Sequence, residues 1–268
     1  MTKIIGILNL TLDSFSDGGK YYDLNSAKKH IAEMIECGAD VIDIGAESTR
    51  SGFTDVDEDI QIKTLSPVIE YINEHFDIEL SIDTRSSKVV NAFRSNSVNY
   101  INDVSSGTYD KSMCDVVSSL GCKFIITHMP NEHKQGSIKE YESILDEMKI
   151  YFSERIDACV KAGIDSNKII IDPGIGFGKS SADNIKLLTN INHLQNIHPY
   201  VCIGSSNKRF SSKLFKNVQT KGDLKVANLV SFATSALADV SYLRVHDVEL
   251  TKDTLMIIDK SKNLFDQG

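Results

Sequence analysis

Asp83, Asn102, Asp172 and Lys208 stand at or just past the ends of short apolar runs, "ELSID", "YINDV", "IIIDPG" and "YVCIG" followed by Ser205-Ser206-Asn207-Lys208. Together they offer two carboxylates, an amide with donors and an acceptor, and a cation. That inventory suits a flat heterocycle with amino and keto edges, a guanidine-like edge pairing with a carboxylate. Each charged hydrogen bond in such a pocket would contribute roughly 1.5–3 kcal/mol. Met129 in "THM" and Phe177 in "GIGFG" are candidate walls for the ring. A second set, Asn9, Arg50, Arg244 and His246, suits an anion, phosphate foremost. Arginine gives bidentate donors, histidine a donor, and Asn9 a neutral oxygen for a hard cation such as Mg2+. Arg244 and His246 alternate within "YLRVHDV", so on one strand their side chains point the same way.

Other chemistries are excluded by spacing. "DPGIGFGKS" lacks the longer gap that a nucleotide-binding phosphate loop needs before Gly-Lys, and no Gly-x-Gly-x-x-Gly fingerprint follows the first strand. Neither a Gly-x-Ser-x-Gly elbow nor a His-Glu-x-x-His metal helix occurs. A net charge of −8 opposes a phosphate-backbone partner, so no nucleic acid is expected. The five cysteines, Cys37, Cys114, Cys122, Cys159 and Cys202, are scattered and read as reduced packing residues. With no apolar run near 18 residues and no signal-peptide pattern in "MTKIIGILNLTLD", the expectation is a cytoplasmic protein without a membrane partner.

Something must bring these residues together, and the rhythm of the chain supplies it. Eight Ile- and Val-rich runs recur at 3–10, 41–45, 79–83, 100–104, 123–129, 169–174, 200–204 and 242–248. Their near-continuous apolarity marks strands covered on both faces, as in parallel sheets. Segments of helical period lie between them: in "SAKKHIAEMIECGAD", Ala27, Ile31, Met34 and Ile35 share a face, and longer helices are expected over 141–162 and 224–238. Strand-helix alternation repeated eight times predicts an α/β fold, a (β/α)8 TIM barrel forming one domain over residues 1–268, with a doubly wound open sheet as the alternative. In such a barrel the carboxyl ends of the strands converge on one mouth, which is where the polar residues gather.

The ordered series "NLTLDSFSDGG", "DIGAESTRSG", "SIDT", "INDVSSG", "THM", "DPGIGFGK" and "RVHDV" resembles the dihydropteroate synthases of the pterin-binding barrel superfamily. The resemblance implies that p-aminobenzoate displaces diphosphate from 6-hydroxymethyl-7,8-dihydropterin diphosphate in folate biosynthesis, at a site that is the target of sulfonamides. It implies that Asp83, Asn102, Asp172 and Lys208 hold the pterin, and that Asn9 with Mg2+, Arg50, Arg244 and His246 hold diphosphate. Thr49, Phe15 and the residues after Lys208, Arg209 among them, would shape the aminobenzoate site. Mobile first and second loops and a homodimer are further implications. The chain departs from the family pattern at Leu12, Ser51, Asn207 and Arg209, which puts the affinity for p-aminobenzoate and sulfonamides in question. Two other readings stay open: a methyltetrahydrofolate-binding methyltransferase on the same barrel, and a non-catalytic pterin-binding paralogue.

Overall fold

Eight parallel strands alternate with helices along the chain: β1 (Lys3–Asn9), β2 (Val41–Gly45), β3 (Glu79–Asp83), β4 (Tyr100–Asp103), β5 (Lys123–Thr127), β6 (Ile169–Asp172), β7 (Cys202–Ile203) and β8 (Tyr242–Val245). The helices are α1 (Leu24–Glu36), α2 (Glu58–His75), α3 (Ser87–Ala92), α4 (Met113–Leu120), α5 (Asn131–Lys134), α6 (Ile144–Lys161), α7 (Ser181–Thr189), α8 (Ile191–Ile197), α9 (Lys221–Leu237) and α10 (Val248–Phe265). The computed structural model describes residues 2–10, 24–208 and 221–265. Strand order is β6-β5-β4-β3-β2-β1-β8-β7, and a parallel bridge between Ile171 and Val201 joins the two ends. This is the (β/α)8 barrel. The consecutive order, with no reversal, removes the doubly wound alternative. The β6–β7 seam is thin, because β7 is only two residues long where five were expected; the Ile171 N–H donates to Tyr200 O at 3.0 Å across it.

Alternation along each strand separates two environments. Outward residues such as Ile42, Ile44, Leu80, Ile82, Phe124 and Ile126 belong to the large core beneath the helices. Inward residues are stacked in layers. Ile5, Val41, Tyr100, Ile125, Ile170, Cys202 and Tyr242 form an apolar plug across the barrel. At the amino-terminal end of the strands, Glu79 accepts from Lys3 Nζ at 2.5 Å and Tyr100 OH at 2.9 Å, with Lys123 Nζ 3.7 Å away. Two positions further along on the inward face come Asp43 on β2, Asp83 on β3, Asn102 on β4, Asp172 on β6 and Arg244 on β8. Register aligns them: Asp83 stands beside Asn102, and Asp172 beside Thr127.

Candidate active site

At the carboxyl-terminal mouth, Arg244 occupies the centre of an acidic layer. Its Nε donates to Asp43 Oδ2 at 2.7 Å, and a terminal nitrogen donates to Asp83 Oδ2 at 2.5 Å. Asn102 Nδ2 donates to the same Asp43 oxygen at 3.2 Å. Removing these charges from water is expensive, and the mutual pairing is what offsets it. Burial pushes the Asp83 carboxyl up to about 7, Arg244 pulling it back and Asp43 adding to the rise. Arg244 itself is raised: burial works against its charge, and the two aspartates outweigh burial. Among the described residues Asp43 Oδ1 is buried with no hydrogen-bond partner. An orphaned carboxylate oxygen here is an acceptor waiting for a donor.

The loop after β6 builds the neighbouring wall. Asp172 Oδ1 accepts the Gly174 N–H at 2.7 Å. Burial raises the Asp172 pKa, with the Gly174 N–H, Arg244 and Lys208 opposing. Gly174 has φ +65°, and a Cβ there would lie 2.2 Å from His128 O, so only glycine fits. Lys179 is buried and donates to the carbonyls of His128, Gly174 and Phe177 at 3.0, 2.9 and 3.2 Å, which clamps the turn from inside. Phe177 is thereby presented to Lys208, whose Nζ sits 3.9 Å from the ring centroid. Burial brings the Lys208 pKa down to about 8; Arg244 adds to the fall, and Asp172 and Asp83 resist it.

Cations and loops surround the mouth. The His246 pKa falls to about 4 through burial and then through Arg244, Lys208 and Arg50, so its imidazole is neutral near pH 7. Its Nδ1 lies 3.1 Å from Ser206 Oγ. Arg50 is exposed in the loop after β2, and Thr49 in the same loop is half-buried. Arg85 holds that loop from below: buried between the rings of Phe53 and Tyr109, it reaches Glu47 at 2.8 Å and Asp55 at 2.9 Å. Asn207 adopts φ +56° and exchanges two 3.0 Å hydrogen bonds with Asn228 of α9, so this departure from the family pattern has a local role.

Asp83, Asn102, Asp172, Lys208 and Phe177 therefore converge, with half-buried Met129 after β5 and half-buried Asn9 at the end of β1 on the same rim. Phe15 and Arg209 lie outside the described residues. Arg244, expected with His246 in an anion clamp, lies inside the barrel with Nε and one terminal nitrogen engaged by Asp43 and Asp83, and it is near enough to His246 to lower that imidazole's pKa. β8 ends at Val245, so His246 already belongs to the loop, beside Ser206. The sequence marks Asp43 only as a polar strand end and Lys179 only as part of "DPGIGFGKS", with a site role for neither, and it does not single out His133. Inward alternation in "VIDIG" was a sufficient signal for Asp43. Lys179 lies within two and five residues of two of its carbonyl partners, Phe177 and Gly174, but nothing local marks it as their clamp, and the partners of His133 lie 84 and 45 residues away. Among the described residues no group of three or more His, Cys, Asp or Glu is placed to hold a metal. No helix of the described residues is long and apolar enough to cross a membrane.

The sequence profile of the pterin binding enzymes matches residues 5–246. A dihydropteroate synthase of Clostridium beijerinckii is 36% identical over 248 residues, 92% of this chain and 89% of that protein. That of Escherichia coli is 32% identical over 257 residues, 96% of this chain and 90% of its own length. Among solved structures, Xanthomonas albilineans dihydropteroate synthase with 4-aminobenzoic acid superimposes with a TM-score of 0.90 at 34% identity, covering 97% of this chain and 93% of that one. The same enzyme in complex with 7,8-dihydropteroate gives 0.86 at 32%, covering 97% and 94%. A Yersinia pestis dihydropteroate synthase with a sulfonamide drug complex gives 0.90 at 31%, covering 98% and 94%.

Proposed function

The chain belongs to the pterin-binding enzymes, among the dihydropteroate synthases, and from that premise we propose that it joins p-aminobenzoate to 6-hydroxymethyl-7,8-dihydropterin diphosphate, releasing diphosphate. The observation that carries the reading is the carboxylate layer ordered around Arg244, with Asn102, Asp172 and Lys208 converging on it. The guanidine-like edge of a pterin presents N–H donors, and Asp172 with the orphaned oxygen of Asp43 are acceptors of matching kind. Lys208 and Phe177 close over the ring. As the bond to diphosphate lengthens, the methylene carbon becomes electron-poor. Asp83 and Asp43 lie in a water-poor barrel where a fixed negative charge stabilises that carbon more than it would in water. Arg50 and Arg244, both close enough to lower the His246 pKa, would offset charge on the departing oxygens, and neutral His246 would offer them an N–H. The neutral arylamine forms the C–N bond as the C–O bond to diphosphate breaks. The acidic anilinium that results gives its extra proton to water or to the departing diphosphate, so no protein general base is required.

Asn9 contributes an amide oxygen, which fits Mg2+ held mainly by substrate oxygens and water rather than by a protein cage. A bound Mg2+ would offset charge on the diphosphate. Thr49, with Phe15 and Arg209, would border the aminobenzoate, and sulfonamides would compete there. A homodimer is supported by Val226, Leu229, Val230 and Leu237, which form an exposed apolar stripe on α9, with exposed Met256 and Ile257 on adjacent α10. Five free cysteines accord with a reducing cytoplasm.

The test is diphosphate release from the pterin substrate with and without p-aminobenzoate. Release that depends on p-aminobenzoate and yields dihydropteroate, and that falls at least about a hundredfold (~2.7 kcal/mol) in Lys208→Ala, is the expected result. Tight pterin binding without release, or methyl transfer in its place, would overturn the reading.

A further inference from the structure

His133 joins two loops that belong to different strands. Its Nε2 lies 2.9 Å from Thr49 O in the loop after β2, and its Nδ1 accepts the Gly178 N–H at 3.1 Å in the loop after β6. A carbonyl can only accept and an amide N–H can only donate, so both contacts require the neutral ring with its hydrogen on Nε2. Burial lowers the His133 pKa; the Thr49 carbonyl opposes, while Lys208 and Lys179 add to the fall, so this form prevails near neutrality. A third tie runs through the backbone, where Gly52 N–H donates to His133 O at 3.3 Å. The ring also packs on Phe177, with centroids 4.7 Å apart, and Phe177 is the ring against which Lys208 sits.

We propose that His133 is a positioning residue for the transfer reaction, a brace that fixes Thr49 and Arg50 of the second loop against the Phe177–Lys208 wall. The inference rests on reading those four residues as substrate contacts. It explains how the second loop keeps its shape with Ser51 where the family pattern usually has a proline. A fixed φ would narrow the loop's conformations before folding, and here contacts to His133 hold the loop instead.

The test uses the full chain as wild type, His133→Ala and His133→Gln. Glutamine keeps one donor and one acceptor and is the rescue variant. Three quantities are read: KM for each substrate with kcat, the Kd for 6-hydroxymethyl-7,8-dihydropterin lacking diphosphate, and amide hydrogen exchange over residues 46–57. In His133→Ala the KM for p-aminobenzoate should rise about tenfold, equivalent to ~1.4 kcal/mol. The free pterin Kd should stay within about twofold and exchange at Gly52 should quicken about tenfold. His133→Gln should recover most of both losses. Unchanged KM and exchange in His133→Ala would overturn the proposal. So would an equal loss of pterin affinity, or a glutamine variant no better than alanine. If wild type makes no dihydropteroate yet the exchange difference persists, the brace stands and the functional reading fails.

Discussion

Asp83 and Lys208 are proposed to meet the same ligand with opposite charges, and burial moves their pKa values toward each other, to about 7 and about 8. Productive binding asks for Asp83 ionised and Lys208 protonated. Below about 7 the first condition fails; above about 8 the second does. A plot of kcat/KM against pH, which reports the free enzyme, should therefore be a narrow bell centred between them. Lys208→Arg should shift the alkaline limb upward and leave the acid limb in place. Asp172 gives a second residue-scale prediction. Its folded pKa is raised above the unfolded value, so the fold binds its proton more tightly, and stability is lost as pH rises through the folded pKa. Asp172→Asn keeps an acceptor for Gly174 and removes the charge. Thermal melts at pH 7.5 should show the variant about 2–4 °C more stable, the gain fading toward pH 4, while pterin affinity falls at least about tenfold. Of these residues, sequence alone marked Asp83, Asn102, Asp172 and Lys208, because each sits at the polar end of an apolar run. It could not place Arg244 between Asp43 and Asp83, which lie 201 and 161 residues away.

Helices and strands were legible for a different reason. Strands covered on both faces read as unbroken apolar runs, and β2 and β3 fall where 41–45 and 79–83 were expected. The carboxyl ends of other runs were over-extended, since residues such as His128 and Pro173 continue past the last ladder pairing. Loop architecture was the least legible. "DPGIGFGKS" displays its glycines, yet the residue that organises it is Lys179, through three carbonyls that no sequence pattern identifies. Lys179→Met should leave those carbonyls unsatisfied at a cost of about 3 kcal/mol. Chemical denaturation should read that loss as a lower midpoint. The second loop carries ties that were equally hidden in the sequence, from Arg85 to Glu47 and from His133 to Thr49.

At the scale of the molecule, the stripe on α9 and α10 is the surface feature with the clearest consequence. Leu237 is 62% exposed and Ile257 is 66% exposed, more than isolated surface apolar residues require when they adjoin Val226 and Val230. Leu237→Glu combined with Val230→Glu should convert a dimer to a monomer in sedimentation velocity, without loss of helical signal. A dimer that survives both changes would place the interface elsewhere.

The plug formed by Ile5, Val41, Tyr100, Ile125, Ile170, Cys202 and Tyr242 makes the barrel a cup rather than a tube. Whatever reaches its floor must pass the rim, and whatever stands at the rim blocks departure from the floor. Asp43 and Asp83, proposed to recognise the heterocycle, are buried, and Thr49, proposed to border the second reactant, is half-buried at the rim. On the proposed function that shape predicts sequential traffic, the ring arriving first and the amine capping it, which steady-state kinetics would read as ordered binding.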